Sequence, residues 1–274
     1  ALLTALAVLL SSLVLVPVQA AQLPAGDGTQ SSPYRITTID ELSFVADFPE
    51  AYYRLENDLT LPSTWRALDI RFSGLFDGNG YRISLASPVS ASRGGLLFYG
   101  NSGTIRNLIV SGQITVRNSR PSQLESSLLC DYNGETGVIE NCVAEGSLTF
   151  SRTKGVSGAF YAGGLVATNS GTIRNCYSRV DIAYSYPTSD TTQSYSAYVG
   201  GIAGYTRGGE ISNCYYAGSF DGRRGLYPIT YRSSSATDAV FSGNFHDKDL
   251  TGYDSINTIT TPKSSLAMTM RQTY

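Results

Sequence analysis

A hexapeptide of nearly constant sequence occurs four times in the chain. It reads GTIRNL at residues 103–108, GVIENC at 137–142, GTIRNC at 171–176 and GEISNC at 209–214. The asparagines are therefore spaced by 34, 34 and 38 residues, at positions Asn107, Asn141, Asn175 and Asn213. Asn244 is a candidate fifth member, 31 residues further on. A period of this size is typical of repeat architectures, in which each unit stacks on its neighbours.

Each repeat contains three short apolar runs separated by Gly, Asn or Ser. In the third repeat the runs are GGLVATNSG at 163–171, the hexapeptide, and RVDIAY at 179–184. Runs this short are typical of strands, and no segment shows a helical apolar period over ten residues. Three strands and three turns predict one coil of a parallel β-helix, with coils stacked about 4.8 Å apart. The predicted fold class is an all-β, right-handed parallel β-helix, since parallel crossovers are right-handed.

The hexapeptide indicates which side chains face the interior. Ile173 is predicted to point inward and Arg174 outward, and Asn175 to occupy a corner, because Asn tolerates left-handed backbone angles. The Asn amide is expected to bond to the Asn one coil away, as a ladder. Two inward columns follow from this alignment, the first Leu108, Cys142, Cys176, Cys214 and Phe245, the second Phe98, Cys130, Ala167 and Gly204.

The N-terminal part of the repeat region predicts a cap for the stack. In ITTIDELSFVADF, Thr38 and Glu41 have the spacing of a capping box. A short helix here is expected to cover the open end of the core, which would otherwise expose strand edges. The predicted organisation is a cap with first strands at 21–60, the β-helix at 61–245, and a closing segment at 246–274.

The first twenty residues differ from the rest of the chain. They carry no charge, consist mainly of Leu, Val and Ala, and end in Val18-Gln19-Ala20. This pattern predicts a signal peptide, at 1–20, that lacks its basic start. An uncleaved membrane anchor is the alternative. No later apolar stretch is long enough to span a bilayer, so we expect a mature protein that is secreted or held at the cell surface, without a membrane span.

Several segments together resemble a known repeat family. They are GDGTQSSPYRI, YYRLENDLTL, FSGLFDGNGYRISL and the G-L-x-x…G-x-I-x-N-C repeats, within residues 26–274. They resemble the GLUG-motif repeats of bacterial secreted and surface proteins, which include haemagglutinin-like adhesins and some immunoglobulin A proteases. HDKDLTGYD, followed by TPKSSLAMTM, is similar to the segment that closes such an array. The resemblance implies a β-helix module of a larger protein, with this sequence truncated at its C-terminus.

Composition bounds the cofactors and partners. The net charge is −2 and basic residues are not clustered, which argues against a nucleic-acid partner. Zinc is disfavoured because the chain has one His and no C-x-x-C pair. A disulfide between aligned positions of adjacent parallel strands would be strained. We therefore predict no cofactor and four free, buried cysteines, at positions Cys130, Cys142, Cys176 and Cys214.

An acidic cluster lies in the closing segment. Asp247, Asp249 and Asp254 lack the spacing of an EF-hand loop. A solvated turn is the prediction here, with a weak calcium site as the alternative. No metal ligand is therefore assigned from the sequence.

A carbohydrate-active enzyme is the main alternative function. A glycosidase needs two carboxylates that face each other, whereas the predicted outward column offers one, in the series Arg106, Glu140, Arg174 and Ser212. A polysaccharide lyase would need a calcium cluster beside a basic catalyst, and His246 has no nucleophile motif nearby. We expect a chain without catalytic residues.

The longest repeat spacing indicates where a ligand would bind. The extra residues fall in AYSYPTSDTTQSYSAY, at 183–198, and loops between coils of a solenoid commonly carry its binding function. Tyr offers a flat apolar face and a hydroxyl, which suit a glycan or a host or matrix protein. The candidate ligand-binding residues are Tyr184, Tyr186, Tyr195 and Tyr198. The alternatives are that these rings cover the base of the loop, and that the module is a stalk without a ligand.

Overall fold

The strands of the protein stack in parallel, each coil of the chain lying on the one before. The computed structural model describes residues 23–91, 95–118, 124–152, 158–185, 196–221, 226–254 and 258–268. The predicted signal peptide at 1–20 lies outside the described residues. Every pairing between two named strands in the described part of the chain is parallel, with an isolated antiparallel bridge between Ala25 and Arg35.

The strands are numbered in chain order. The first fourteen are β1 (Tyr34–Ile36), β2 (Tyr52–Leu55), β3 (Leu59–Leu61), β4 (Leu68–Phe72), β5 (Leu75–Asp77), β6 (Arg82–Leu85), β7 (Val89–Ala91), β8 (Phe98–Asn101), β9 (Thr104–Arg106), β10 (Ile109–Asn118), β11 (Leu124–Ser127), β12 (Cys130–Asn133), β13 (Val138–Glu140) and β14 (Val143–Arg152). They are followed by β15 (Phe160–Gly163), β16 (Val166–Asn169), β17 (Thr172–Arg174), β18 (Tyr177–Ser185), β19 (Ala197–Gly200), β20 (Ala203–Thr206), β21 (Glu210–Ser212), β22 (Tyr215–Tyr216), β23 (Phe220–Asp221), β24 (Leu226–Tyr227), β25 (Tyr231–Arg232), β26 (Val240–Ser242), β27 (Phe245–Asp247) and β28 (Thr261–Lys263).

These strands form four sheets that run along the stack. Sheet A has the order β1-β2-β5-β9-β13-β17-β21-β26, and sheet B the order β28-β27-β22-β18-β14-β10-β6-β3, with β7 and β23 as additional members. Sheet C has the order β25-β20-β16-β12-β8-β4, and sheet D the order β11-β15-β19-β24. The fold is therefore a parallel β-helix, as the repeat period predicted.

A central coil has four strands where the sequence predicted three. The additional strand belongs to sheet D and immediately precedes the first predicted apolar run, as β15 precedes β16 of sheet C. Between them lies Gly164, where a Cβ atom would overlap the Ser178 side chain of sheet B and the carbonyl oxygen of Gly201. Because Gly has no Cβ, the bend can press against the opposite sheet, and the chain turns there from sheet D into sheet C.

The asparagine corners have the predicted backbone conformation. Asn107, Asn141, Asn175 and Asn213 have φ between 51° and 55°. The amide of Asn141 donates to Asn107 Oδ1 over 3.2 Å, so the expected ladder forms at these two coils. The fifth corner is Gly243, at φ 62°, and the expectation for Asn244 was wrong. Asn244 is instead buried, and its Oδ1 accepts the backbone N–H of Cys214.

The strand register confirms part of each inward column and corrects the rest. Tyr215 pairs with Phe245, so Phe245 does not continue the cysteine column and lies on the outer face of sheet B. In sheet C, Cys130 pairs with Val166, and Val166 with Ala203. Val166 and Ala203 therefore replace the expected Ala167 and Gly204, because the bend at Gly164 begins sheet C one residue earlier than the apolar pattern indicated.

The N-terminal helix caps the stack as expected. Helix α1 (Ile39–Ser43) begins after Thr38, whose side chain accepts from the backbone N–H of Glu41, and the Glu41 carboxylate accepts from the backbone N–H of Thr38 in return. A short 3-10 turn follows at Phe44–Ala46. Leu42 and Val45 are fully buried, so the helix covers the first coil with its apolar face.

The closing segment folds back onto the last coil. It contains α2 (Lys248–Thr251), β28 and α3 (Ser265–Met268). Asp247 caps α2 by accepting from the backbone N–H groups of Asp249 and Leu250. His246 is fully buried, and its Nε2 atom lies 2.9 Å from the carbonyl oxygen of Tyr253. These contacts tie the segment to sheet B.

Candidate ligand-binding surface

The bends between sheets D and C bring outward-facing side chains of the two sheets together. Gly204, on β20, lies so close to β15 that a Cβ atom would overlap the backbone of Ala162. Tyr161 on β15 and Tyr205 on β20 consequently meet edge to face, with ring centroids 5.2 Å apart. The small residues of the repeat are thus the local cause of a close aromatic contact between strands of different sheets.

Five tyrosines form one contiguous group at this position, which we call the tyrosine surface. Its members come from three successive coils and are Tyr161, Tyr198, Tyr205, Tyr227 and Tyr231. Four of them are partly exposed, and Tyr161, at 9% exposure, is the buried base against which they pack. Tyr161 and Tyr198 are stacked at 5.3 Å, and Tyr205 and Tyr231 at 5.4 Å. Tyr198 joins the two pairs, at 4.9 Å from Tyr205 and 4.6 Å from Tyr231. Tyr227 contacts Tyr231 at 5.1 Å.

The surface combines apolar faces with polar groups. The Tyr205 hydroxyl donates to Ser233 Oγ over 2.9 Å, and the Arg207 guanidinium lies 5.6 Å from the Tyr205 ring centroid. Burial raises the pKa of Tyr161, partly offset by Arg207, and burial also raises the pKa of Tyr227. Both hydroxyls therefore stay protonated at neutral pH, and that of the partly exposed Tyr227 can donate a hydrogen bond to a ligand. Flat rings with hydroxyl edges are suited to stack on sugars and to bond their hydroxyls.

The structure separates the four tyrosines that the sequence singled out. Tyr198 lies at the centre of the tyrosine surface. Tyr184 points inward, is 8% exposed and stacks on Phe160 at 5.5 Å, so that it belongs to the core and is not presented to a ligand. Tyr186 and Tyr195 lie outside the described residues. The candidate site therefore moves from the loop at 183–198 to the sheet surface that follows it.

Sequence reasoning missed four members of the tyrosine surface. Tyr161, Tyr205, Tyr227 and Tyr231 lie in apolar runs, where a Tyr reads as a core residue. A signal was available for Tyr161 from its position in the repeat. Tyr161 and Tyr198 each lie two positions before a Gly-Gly pair. Equal positions in successive repeats stack in a solenoid.

The carboxylates of the acidic cluster bond to other groups of the closing segment. Asp247 accepts from the Ser265 hydroxyl as well as capping α2, and Asp249 accepts from the backbone N–H of Ser265. Asp254 pairs with Lys248 at 2.9 Å. Among the residues that the structure describes, no group of three or more His, Cys, Asp or Glu is arranged to hold a metal ion.

The outward column of sheet A contains a carboxylate that the sequence analysis did not place there. Asp77 pairs with Arg106, so the series is Asp77, Arg106, Glu140, Arg174 and Ser212. Arg106 bonds Asp77 at 2.8 Å, and Arg174 bonds Glu140 at 2.8 Å. Although burial opposes it, hydrogen bonds from Asn107, the Asn79 backbone and Arg106 lower the pKa of Asp77. An ionised, ion-paired carboxylate is unsuited to act as the general acid of a glycosidase.

A protein-family model matches the coil that contains the first part of the tyrosine surface. The matched residues are 158–183, from the Gly before β15 into β18, and the model describes the GLUG motif. The chain contains a GLUG motif. The matched segment forms one complete coil. It contains the bend at Gly164, the corner at Asn175 and a strand in each of the four sheets.

Two further comparisons extend the similarity beyond this GLUG motif. The chain is 29% identical to Halomucin of Haloquadratum walsbyi over 162 aligned residues, which cover 51% of this chain and 2% of Halomucin. In structure it is similar to a crystallised protein of Bacteroides ovatus, described as a candidate immunoglobulin A1 protease. The TM-score is 0.60 at 18% identity, over 89% of this chain and 87% of the other. The second likeness shows a shared fold.

The helices in the described part of the chain are short, with four or five residues in each α-helix. Across the described residues, no helix has both the length and the apolar character that crossing a bilayer requires.

Proposed function

We propose that the chain is a carbohydrate-recognition module of a larger extracellular protein, and that the tyrosine surface is its binding face. The observation that carries the proposal is the contiguity of Tyr198, Tyr205 and Tyr231 across neighbouring coils. A row of rings at the spacing of adjacent strands offers repeated stacking positions to an extended, repeating ligand. Such a ligand is chemically a polysaccharide or the glycan of a glycoprotein.

Extracellular placement is part of the proposal. It is supported by the apolar, uncharged stretch at 1–20 and by the similarity to a small part of Halomucin. Since the aligned region spans 2% of that relative, a module within a long chain is the arrangement that the similarity favours.

The segment at 186–195, outside the described residues, is also part of the proposal. It follows β18 and leads into β19, the strand that carries Tyr198. Tyr186 and Tyr195 accordingly remain predicted contacts for the same ligand. Their contribution is tested separately from that of the sheet surface, with a Tyr186→Ala, Tyr195→Ala double variant.

The test is a glycan array followed by titration calorimetry with the best-binding glycan. We would compare the wild type with Tyr198→Ala and Tyr231→Ala, and with Tyr99→Ala as the matched control, an exposed tyrosine outside the surface. Loss of one stacking ring is expected to weaken binding about two- to twelvefold, because aromatic stacking contributes on the order of 0.5–1.5 kcal/mol. Far-ultraviolet circular dichroism would confirm that each variant keeps its strands.

Conservative variants separate binding from folding. Tyr198→Phe and Tyr231→Phe keep the ring stack, so they should fold as the wild type does and lose only the hydroxyl contribution. Equal glycan binding by the wild type and both Ala variants would exclude the tyrosine surface. Absence of binding to every glycan and matrix protein would favour a stalk.

A further inference from the structure

A second aromatic column lies on sheet B, immediately after the asparagine corners. Its members are Tyr177, Tyr215 and Phe245, which are register partners on β18, β22 and β27. Tyr177 and Tyr215 stack with centroids 4.0 Å apart and planes 23° apart. All three side chains are partly exposed, so they face outward, whereas the next residues, Tyr216 and His246, are buried.

This column borders a groove, which we call the corner groove. It has a volume of about 420 Å³. Its lining consists of the three aromatic residues together with Asn175, Cys176, Asn213, Cys214 and Gly243. That volume lies within the range of small-ligand sites, roughly 300 to 1,000 Å³. It is large enough for one sugar ring lying against the aromatic column.

The amides at the corner groove are available to a ligand. Asn175 and Asn213 are exposed. At the earlier corners Asn141 bonds to Asn107, but in the described part of the chain no hydrogen bond involves the side chain of Asn175 or Asn213. A side-chain amide carries donors and an acceptor, so each can bond a vicinal pair of sugar hydroxyls.

A cation lies at the end of the aromatic column. The ammonium of Lys263 is 5.2 Å from the centroid of the Phe245 ring. Asp247 is the register partner of Lys263, and it accepts hydrogen bonds from Ser265 and from the start of α2. Within the described residues, no carboxylate approaches Lys263 to 4 Å. Lys263 does not line the groove itself but lies beyond Phe245, so its positive charge is left for an anionic group that extends past that end of the groove.

From these three features we infer that the corner groove binds a pyranose that carries a carboxylate. The sugar ring packs against the exposed edge of the aromatic column at Tyr215 and Phe245. The amides of Asn175 and Asn213 bond its hydroxyls, and Lys263 pairs with its carboxylate. The chemistry is shared by the uronic acids of polysaccharides and the sialic acids of glycoproteins. This site lies on sheet B and goes beyond the proposed function of the tyrosine surface, on sheets C and D.

The experiment uses the whole chain and four probes. Trigalacturonate and 3′-sialyllactose are the acidic probes, with methyl-esterified trigalacturonate and lactose as their neutral counterparts. Binding would be titrated by calorimetry with the wild type, Tyr215→Ala and Lys263→Gln. Tyr99→Ala and Lys248→Gln are matched controls, each a residue of the same type outside the groove. Tyr215→Phe preserves the stack should Tyr215→Ala fail to fold.

The expected result is binding of at least one acidic probe, in preference to its neutral counterpart. Tyr215→Ala and Lys263→Gln should each weaken it about tenfold, and the controls should not. The preference should fall with added salt because the carboxylate contact is partly exposed. Which of the two acidic probes binds shows whether the groove takes a uronic acid or a sialic acid.

Three outcomes would overturn the inference. They are failure of both acidic probes to bind the wild type at millimolar concentration, unchanged binding by Lys263→Gln, and binding that is lost in Tyr231→Ala but kept in Tyr215→Ala. The last outcome would remove the corner groove and leave the tyrosine surface in place, so the two proposals fail separately.

Discussion

The side-chain amide of Asn133 donates a hydrogen bond to the Oδ1 atom of Asn169, over 2.8 Å, in the interior of the coil stack. Asn101 donates to Asn133 in the same way, also over 2.8 Å. All three side chains are fully buried. Buried amides are stabilising when their partners are present and costly when one is missing, so this ladder holds three successive coils in one register.

Removing the middle amide should therefore destabilise the stack. Asn133→Ala removes the Oδ1 acceptor of the Asn101 amide and the amide donor to the Asn169 Oδ1 atom. The Asn101 amide then keeps only longer bonds to backbone carbonyl oxygens, the nearest at 3.2 Å, and the ladder is interrupted at its centre. We expect a loss of about 2–4 kcal/mol in the free energy of unfolding, measured by urea denaturation. Gln113→Ala, an exposed amide on β10, is the control and should change stability by less than about 0.5 kcal/mol. Equal midpoints for the two variants would contradict the role of the ladder.

The bends between sheets D and C should not tolerate a larger residue. A Cβ atom on Gly201 would overlap the ring of Tyr216 and the carbonyl oxygen of Pro228. Gly201→Ala should lower the unfolding free energy by about 1–3 kcal/mol or more, as overpacking does in other interiors, and lower the melting temperature. At Gly208 a Cβ would meet Asp238 at 3.7 Å, an ordinary contact. Gly208→Ala is thus the matched control, and a comparable loss there would argue against this explanation.

His246 should make the stability of the protein fall in mild acid. Burial lowers the pKa of His246, partly opposed by the hydrogen bond to Tyr253 and the charges of Asp247 and Asp254. The unfolded chain then takes up the proton at a higher pH than the folded chain. Stability from this group is complete above about pH 6.5 and is lost as pH falls through the folded value, by about 1.4 kcal/mol per unit of pKa difference.

The chain has a single His, so its contribution can be isolated. Urea denaturation of the wild type and His246→Gln between pH 7.5 and 5 should give curves of stability against pH that converge toward acid. Parallel curves would show that His246 has the same pKa in both states.

The four cysteines should react slowly with thiol reagents in the native protein. All four are free and buried, and burial raises the pKa of Cys130, Cys142 and Cys176 well above the usual value. Since the thiolate is the reactive form, modification should require unfolding. Four thiols are expected to react with Ellman's reagent in denaturant without reductant, and almost none before it. A count of zero after unfolding would show disulfides in place of free thiols.

The repeat made the β-helix predictable because the asparagine corner has a local cause. A left-handed residue followed by an inward residue fixes where each strand of sheet A ends and where sheet B begins, as at Asn141 and Cys142. Capping of α1 by Thr38 and Glu41 was predictable for the same reason. In both cases neighbours in sequence supply the interaction.

The bend at Gly164 and the tyrosine surface depend on contacts between residues far apart in the chain. Nothing near Gly164 in sequence indicates that Ser178, on the opposite sheet, lies against it. Tyr184 and Tyr198 look alike in the sequence, but one packs on Phe160 in the core and the other on Tyr205 outside it. Which face a Tyr occupies is decided by the register of its strand, and one residue of register reverses the face.

The match between neighbouring coils has a consequence for how such a chain can change in length. Ile105, Ile139 and Ile173 are stacked register partners. Deletion of residues 138–171, one 34-residue period, would place Ile173 directly on Ile105. A gene that gains or loses whole periods therefore creates junctions that already fit, whereas an insertion of any other length must be looped out at a corner. Selection can in this way adjust the reach of the module in coil-sized steps without redesigning its interior.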